Sequence, residues 1–343
     1  MADVAREARV NRITVSRALS HPELVAEDTL ERIRAAIART GYVPNQIARG
    51  LKAEHSRIVS LITPPQMSGV YGAVLERLSA ALYESGLIVN LFPVLDIEAQ
   101  REAVLPELIG WKPAAIVIFG IQLTETARQS LLDRHTPVVE LLNYRADSPD
   151  TCVGYDQAEA TEILTDHLLD RGYRRIGYVH SANPLNIMNE RRLSGFEKAI
   201  TARKGTVRML GGTRPAAPAA DTWIAGTEIK CFPGFQAGYE LMQHLHEHDR
   251  MPDALLYASD MVAVGALQYC LSHGLTPARD IGLCAVDGTE LTSVIKPGLT
   301  SLDFPYERVV EYGAEQILRH VNDRTAAPER IRIPAKVLHR QTT

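Results

Sequence analysis

Residues 1–51 constrain this chain more than any other stretch, because they carry two short apolar stripes with almost nothing between them. Val4, Ala5 and Ala8 share one face of a first helix, and Val15, Ala18 and Leu19 share one face of a second. Between them Arg9-Val10-Asn11 leaves room only for a tight turn, with Val10 placed to plug the gap between the helices. Asn11 suits the N-cap of the second helix, since its side-chain oxygen can accept from a backbone N–H that the helix leaves unbonded. Helices joined this way form a helix-turn-helix, whose second helix fits a DNA major groove. An ordinary helix pair with solvated arginines satisfies the same spacing.

The polar residues of the second helix stand where docking needs them. Arg12 and Ile13 lie at its N-terminal end and Arg17 follows along it. Arginine there can donate to O6 and N7 of one guanine together, whereas Ile13 can only pack on a thymine methyl. Thr14, Ser16 and the first backbone N–H groups suit phosphates, which fix register without reading sequence. A third helix is expected from about Glu27 to Arg39, with Leu30, Ile33 and Ile37 inward and Gly41 closing it. Pro44 to Leu51 follows, with Asn45 able to cap and Ile47, Ala48 and Leu51 forming one short stripe. A helix so short is unstable alone in water, because nucleation is costly.

Four blocks in this order, DVAREA, VNRITVSRAL, LVAEDTLERI and GYVPNQIARGL, resemble the headpiece of the lactose/galactose repressor family. The resemblance implies a DNA-binding headpiece over 1–43 and a hinge helix and linker over 44–56. It implies that the hinge folds against its dimer mate on DNA, with Leu51 wedged into the minor groove to kink the duplex. The DNA-contacting set is then Arg12, Ile13, Thr14, Ser16, Arg17, Asn45 and Leu51. Two positions depart from the family pattern. Arg9 stands where the turn usually has glycine, and Ala26 stands where a serine usually caps the third helix. Glu27 and Asp28 must favour that helix end through the dipole alone.

The 343 residues leave nearly three hundred after such a headpiece, enough for one large or two medium domains. Residues 1–57 carry a net charge of +3 and the remainder −7. A modestly basic head on an acidic body fits DNA contact by the head alone. Cys152, Cys231, Cys270 and Cys284 are far apart without a CxxC, as expected of reduced thiols. With no signal peptide and no apolar run able to span a bilayer, a cytosolic protein is expected.

From Arg57 the pattern alternates between strand and helix. IVSLIT, LIVNLFPV, AAIVIF and PVVELL read as buried strands, with helices near Val70–Ser85, Ile97–Trp111 and Thr124–Arg134. After Thr151 the alternation restarts with RRIGYVH, DALLYAS and IGLCAV. The helices here are expected near Glu159–Arg171, Met188–Arg203, Gly234–His248 and Met261–His273. Such alternation predicts two doubly wound subdomains, each a parallel sheet covered on both faces. Gly205 to Lys230, containing GGTRPAAPAAD, is expected to be a long surface loop.

This body, residues 57–343, also resembles the family, which implies a two-lobed ligand-binding and dimerisation core like a periplasmic sugar-binding protein. Ligands of open parallel sheets sit at the carboxyl ends of the strands. The resemblance assigns ligand contacts to Asp156 in VGYD, Arg192 in NERRLSGF, Ser259 and Asp260 in YASDMVAVGAL, and Asp287 in AVDGTEL. Each also has a local reading. Asp156 and Asp260 can cap the following helices, Asp287-Gly288 is a turn pair, and Arg192 or Arg191 can be a surface ion-pair partner.

Other chemistry is not expected. Positions two apart on a helix are rotated by about 200°, so His244, His246 and His248 cannot converge as three ligands, and no metal site is expected. There is no phosphate-binding glycine fingerprint, Walker lysine or nucleophile elbow, so neither a cofactor nor an enzyme is expected. The resemblance implies a ligand-responsive transcriptional regulator binding double-stranded pseudo-palindromic operator DNA as a homodimer or tetramer. PVVELLN, VGYDQAEA and GLTSLDFPYERVVEYGAEQI are most similar to the gluconate-repressor branch. A sugar acid is therefore the leading effector, and a neutral or phosphorylated sugar the alternative. A sugar-binding or sugar-processing protein that does not touch DNA is the rival from another class.

Overall fold

The computed structural model describes residues 1–43, 56–64, 69–94, 106–120, 123, 125–132, 135–181, 187–203, 208–210, 223–227 and 234–343. The chain divides into two compact units, Met1–Ser56 and Arg57–Thr343.

The first unit contains α1 (Ala2–Glu7), α2 (Arg12–Ser20) and α3 (Glu27–Thr40), with a 3₁₀ turn at Pro22–Leu24. Val4, Ala5, Ala8, Val15, Ala18, Leu30, Ile33 and Ala36 form its core, and Val10, Leu19 and Ile37 pack partly buried against it. The turn after α1 takes the form that the family's glycine would favour, although arginine occupies it. Arg9 has φ +54°. Its N–H donates to the Arg6 carbonyl at 3.2 Å, and that of Val10 to the Ala5 carbonyl at 2.9 Å. This is a Schellman closure, which needs a left-handed residue at the position Arg9 holds. At the N-cap of α3, Ala26 makes no side-chain bond to the helix.

Both departures therefore leave stability unrealised. Left-handed backbone costs a non-glycine residue roughly 1–2 kcal/mol, partly offset by glycine's greater freedom when unfolded. Arg9→Gly is expected to stabilise the headpiece by about 0.5–1 kcal/mol. Ala26→Ser should add about 1 kcal/mol through a restored cap. Melting of residues 1–56 followed by circular dichroism checks both.

The second unit holds two sheets. The strands of the first are β1 (Ile58–Thr63), β2 (Ile88–Pro93), β3 (Ala115–Phe119), β4 (Val138–Leu141), β5 (Thr151–Gly154) and β12 (Arg330–Arg332). Their order is β2-β1-β3-β4-β5-β12, and all the pairings are parallel. The strands of the second are β6 (Ile176–Ser181), β7 (Arg208–Leu210), β8 (Trp223–Thr227), β9 (Ala254–Tyr257), β10 (Gly282–Ala285), β11 (Thr300–Asp303) and β13 (Lys336–Leu338). They follow the order β7-β8-β6-β9-β10-β11-β13. Only β13 is antiparallel to its neighbour.

Helices cover the sheets as the apolar spacing requires. Val70, Val74, Leu78 and Leu82 of α4 (Val70–Glu84) recur every fourth residue and are buried with Leu61, Val117 and Leu141. That core continues into the second lobe through Tyr178, Phe196 and Leu256. Between β3 and β4 runs α5 (Glu125–Leu132), and α6 (Gln157–Asp170) and α7 (Ile187–Ala202) flank β6. In the second lobe, α8 (Phe235–Glu247) and α9 (Asp260–Ser272) bury Met242, Leu245, Val262 and Ala266 against Leu255 and Leu283. The short α10 (Leu291–Val294) lies between β10 and β11.

The chain passes between lobes three times. The passages are β5 to α6, β11 to α11 (Tyr306–Asn322), and β12 to β13. At the first, a Cβ on Gly154 would stand 2.4 Å from the Asn143 nitrogen, so the crossing requires glycine.

Two expectations need correction. The stretch expected as a surface loop over Gly205–Lys230 contributes β7 and β8, which pair parallel to one another and, through β8, to β6. Glycine, proline and alanine around it mask the short β-prone run Trp223–Ile224–Ala225. The elements β11 to β13 and α11 come in addition to those the alternation predicts. The helix expected near Ile97–Trp111 lies mostly outside the described residues, and its described part, 106–110, is helical.

Candidate functional site

The headpiece presents α2 with its start fixed by its cap. Asn11 Oδ1 accepts from the Thr14 backbone N–H at 2.7 Å and from Thr14 Oγ1 at 2.9 Å. Arg12, Ile13 and Arg17 are exposed, Ile13 at 69%, while Thr14 and Ser16 are half-buried. The Ser16 carbonyl accepts from Ser20 Oγ at 2.8 Å. Two arginines and one bare isoleucine on a braced helix are the equipment for guanine edges and a thymine methyl. Asn45 and Leu51 lie outside the described residues.

The second candidate site forms around Arg192 on α7. Gly195, one turn later, lets α7 press against α6: a Cβ there would stand 1.9 Å from the Ala158 carbonyl oxygen. Arg192 thereby reaches the ends of strands from both lobes. Its Nε donates to Gln157 Oε1 at 2.6 Å and its Nη1 to the Ala258 carbonyl at 2.6 Å. Its Nη2 donates to the Tyr155 hydroxyl at 2.8 Å and to Asp287 Oδ1 at 3.3 Å. Gln157 continues the chain by donating from Nε2 to the Leu142 carbonyl at 2.7 Å, just beyond β4 in the first lobe. One guanidinium therefore links the first crossing, the end of β9 and the end of β10.

Electrostatics keep this group charged. Burial opposes the charge on Arg192, but the neighbouring Tyr155 and Asp287 outweigh it and raise the pKa. Asp287 is pushed up by burial and pulled back only in part by Arg192. Asp260 is 1% exposed. It accepts from the Gly288 N–H at 3.3 Å, the Thr289 N–H at 2.6 Å and Thr289 Oγ1 at 2.7 Å. Burial first, then the nearby Asp287 charge, push its carboxyl up to about 7 despite those bonds. The Tyr306 hydroxyl donates to the Asp287 carbonyl oxygen. Phe304 meets Tyr155 and Tyr306 edge-on, with centroids 4.5 and 4.7 Å apart, walling the cluster.

Because the folded-state value for Asp260 lies above the ordinary aspartate value of 3.8, its contribution is fully present below about pH 4. It is lost as pH rises through about 7. Wild type is thus expected to lose urea resistance between about pH 4 and 7 relative to Asp260→Asn, which cannot titrate. Equal pH slopes for the two proteins would remove Asp260 as the cause.

Of the ligand-binding residues expected from sequence, Arg192, Asp287 and Asp260 are brought together. Ser259 is the half-buried N-cap of α9 and makes no side-chain bond to that helix. Asp156 is engaged elsewhere. It caps α6 by accepting from the Ala158 and Glu159 N–H groups at 2.9 and 3.3 Å, and it pairs with Arg191 at 3.2 Å. The expected set omits Tyr155, Gln157, Thr289 and Tyr306. The first two flank Asp156 in VGYDQ, Tyr155 directly after β5 and Gln157 as the first residue of α6.

Two parts of the chain match known families. Residues 1–45 match the profile of bacterial regulatory proteins of the lacI family, and residues 165–343 match the periplasmic binding protein-like domain. The HTH-type transcriptional regulator GntR of Pseudomonas aeruginosa is 27% identical, the match covering 99% of this chain and 94% of that protein. Catabolite control protein A of Priestia megaterium is 25% identical over 99% and 98%. A crystal structure of a LacI-family transcriptional regulator from Silicibacter pomeroyi superposes with a TM-score of 0.85 at 27% identity, covering 99% of this chain and 98% of that one. The lac repressor dimer bound to operator shares the fold, with a TM-score of 0.76, 20% identity and coverage of 99% and 97%. With a helix-turn-helix unit at one end and a two-lobed binding core making up the rest, this chain belongs to the lacI family of bacterial DNA-binding transcriptional regulators.

Proposed function

We propose that this chain is a repressor that binds operator DNA as a homodimer or tetramer and is controlled by a polyhydroxylated small molecule in the cleft. Two headpieces related by two-fold symmetry read half-sites about one helical turn, ~10 bp, apart. Arg12, Ile13 and Arg17 face the bases, Thr14 and Ser16 the phosphates, and Asn45 and Leu51 the hinge contacts. The observation that carries the control is the Arg192 cluster, in which one buried cation holds groups from both lobes. A ligand that enters this network acts through its different affinity for two lobe arrangements, and so biases the headpieces.

The leading effector is a sugar acid such as gluconate or a ketogluconate, with its carboxylate on Arg192 and its hydroxyls on Ser259, Asp260 and Asp287. The resemblance to the gluconate-repressor branch supports this reading. Adding an anion beside Asp287 and Asp260 requires those carboxyls to take up a proton, and their raised pKa values favour that. The second reading, a neutral sugar, rests on the pairing of Arg192 with Asp287, which already balances the arginine's charge. Calorimetry with gluconate, 2-ketogluconate, neutral hexoses and hexose phosphates in buffers of different ionisation enthalpy separates the two. A sugar acid gives heats that follow the buffer, because protons are taken up; a neutral sugar gives buffer-independent heats. If none of these ligands binds and another metabolite does, both readings fail.

A further inference from the structure

The C-terminal end of α8 and the residue after it read HLHEH, and this histidine group plays no part in the cleft. Neighbours two residues apart on a helix cannot converge, but the outer pair is four apart and shares a helix face. The rings of His244 and His248 lie with centroids 4.3 Å apart and planes inclined by 33°, and both side chains are exposed. His246 turns away: its Nδ1 bonds the Tyr269 hydroxyl at 3.0 Å.

The contact of His248 fixes its neutral tautomer. Its Nδ1 lies 2.9 Å from the His244 carbonyl oxygen. Only an N–H can make that bond, so in the neutral ring Nδ1 carries the proton and Nε2 is the nitrogen with the lone pair. A backbone carbonyl holding one ring nitrogen while the other ligates is the usual support of a metal-bound histidine. The position at the C-terminal end of α8 also favours a cation, because the aligned peptide dipoles leave partial negative charge at that end. Glu247, at the same helix end, accepts from Gln243 Nε2 at 2.8 Å, so a neutral amide rather than a cation is its partner there.

We propose that His244 and His248 form a solvent-facing two-imidazole site for a borderline first-row divalent cation, with water completing the coordination and Cu²⁺ held more tightly than Ni²⁺ or Zn²⁺. No group of three or more histidine, cysteine or carboxylate ligands able to hold a metal occurs among the described residues, so the pair binds without a third ligand from them. The site is independent of the effector reading.

Titration of the full chain with Cu²⁺ and with Ni²⁺ by calorimetry, together with electron paramagnetic resonance of the Cu²⁺ form, tests this. The spectrum should show two imidazole nitrogens, and one after His244→Gln or His248→Gln. Loss of a mere supporting contact costs roughly 10–100-fold in metal affinity, so loss of either ligand should weaken binding about tenfold or more. His244→Gln keeps the carbonyl that His248 bonds, which separates ligand loss from loss of the helix end. His246→Gln should leave binding unchanged. Wild-type affinity in both His244→Gln and His248→Gln, or equal weakening by His246→Gln, would overturn the assignment.

Discussion

Arg192→Met is expected to destabilise the core by about 3–5 kcal/mol and to abolish effector binding, because it strands Asp287 in the interior without its counter-charge. Arg192 and Asp287 side chains are only 7% and 12% exposed, so solvent cannot take over the lost partner. Gln157 and the Ala258 carbonyl lose their donor at the same time. The double change Arg192→Met with Asp287→Leu removes both charges and should regain most of the stability, since an apolar pair of similar volume is often no worse than a buried ion pair. It should not regain binding. Urea denaturation of the single and double variants, paired with calorimetry against the effector, reads the two effects separately. A single variant as stable as wild type would mean that Arg192 is solvated rather than locked.

Operator binding should collapse with salt. Phosphate contacts release condensed counterions, and a protein making about 6–10 of them loses roughly 10³–10⁵ in affinity between 50 and 200 mM salt. The positive charge sits in residues 1–57, at +3 per chain against −7 for the remainder, so the dependence must come from the headpieces. Fluorescence anisotropy of a labelled duplex across that salt range measures the slope. Arg12→Ala should cost about 1–3 kcal/mol at its cognate base pair and relax preference there. Equal weakening on every sequence would reassign Arg12 to phosphate contact.

The parts of the chain governed by short-range rules are legible in the amino-acid sequence alone. Helix spacing places Val4, Val15, Leu30 and Ile33 in the headpiece core, where they are buried. The Asn11 cap forms as expected from its position. Long apolar strands such as Ala115–Phe119 are evident because both faces of a parallel sheet are covered and every residue is buried. Legibility ends where tertiary packing decides the outcome. Strand β8 lies in an alanine- and proline-rich context and exists because β6 offers an open edge. The occupation of Asp156 by Arg191 depends on how α7 leans on α6, which Gly195 permits but no local pattern announces. Tyr155 and Gln157 become visible only through the arginine they hold, which follows them at sequence separations of 37 and 35. The histidine run shows the reverse case. Taking three residues as one set conceals the pair that shares a face.

The most direct measurement is the affinity of residues 57–343 for an operator fragment selected from genomic DNA, made beside the full chain. The shortened protein should lose operator binding while taking up the same effector with unchanged affinity, because the Arg192 cluster lies wholly within it. Operator affinity equal to that of the full chain would contradict the assignment of α2 as the reader.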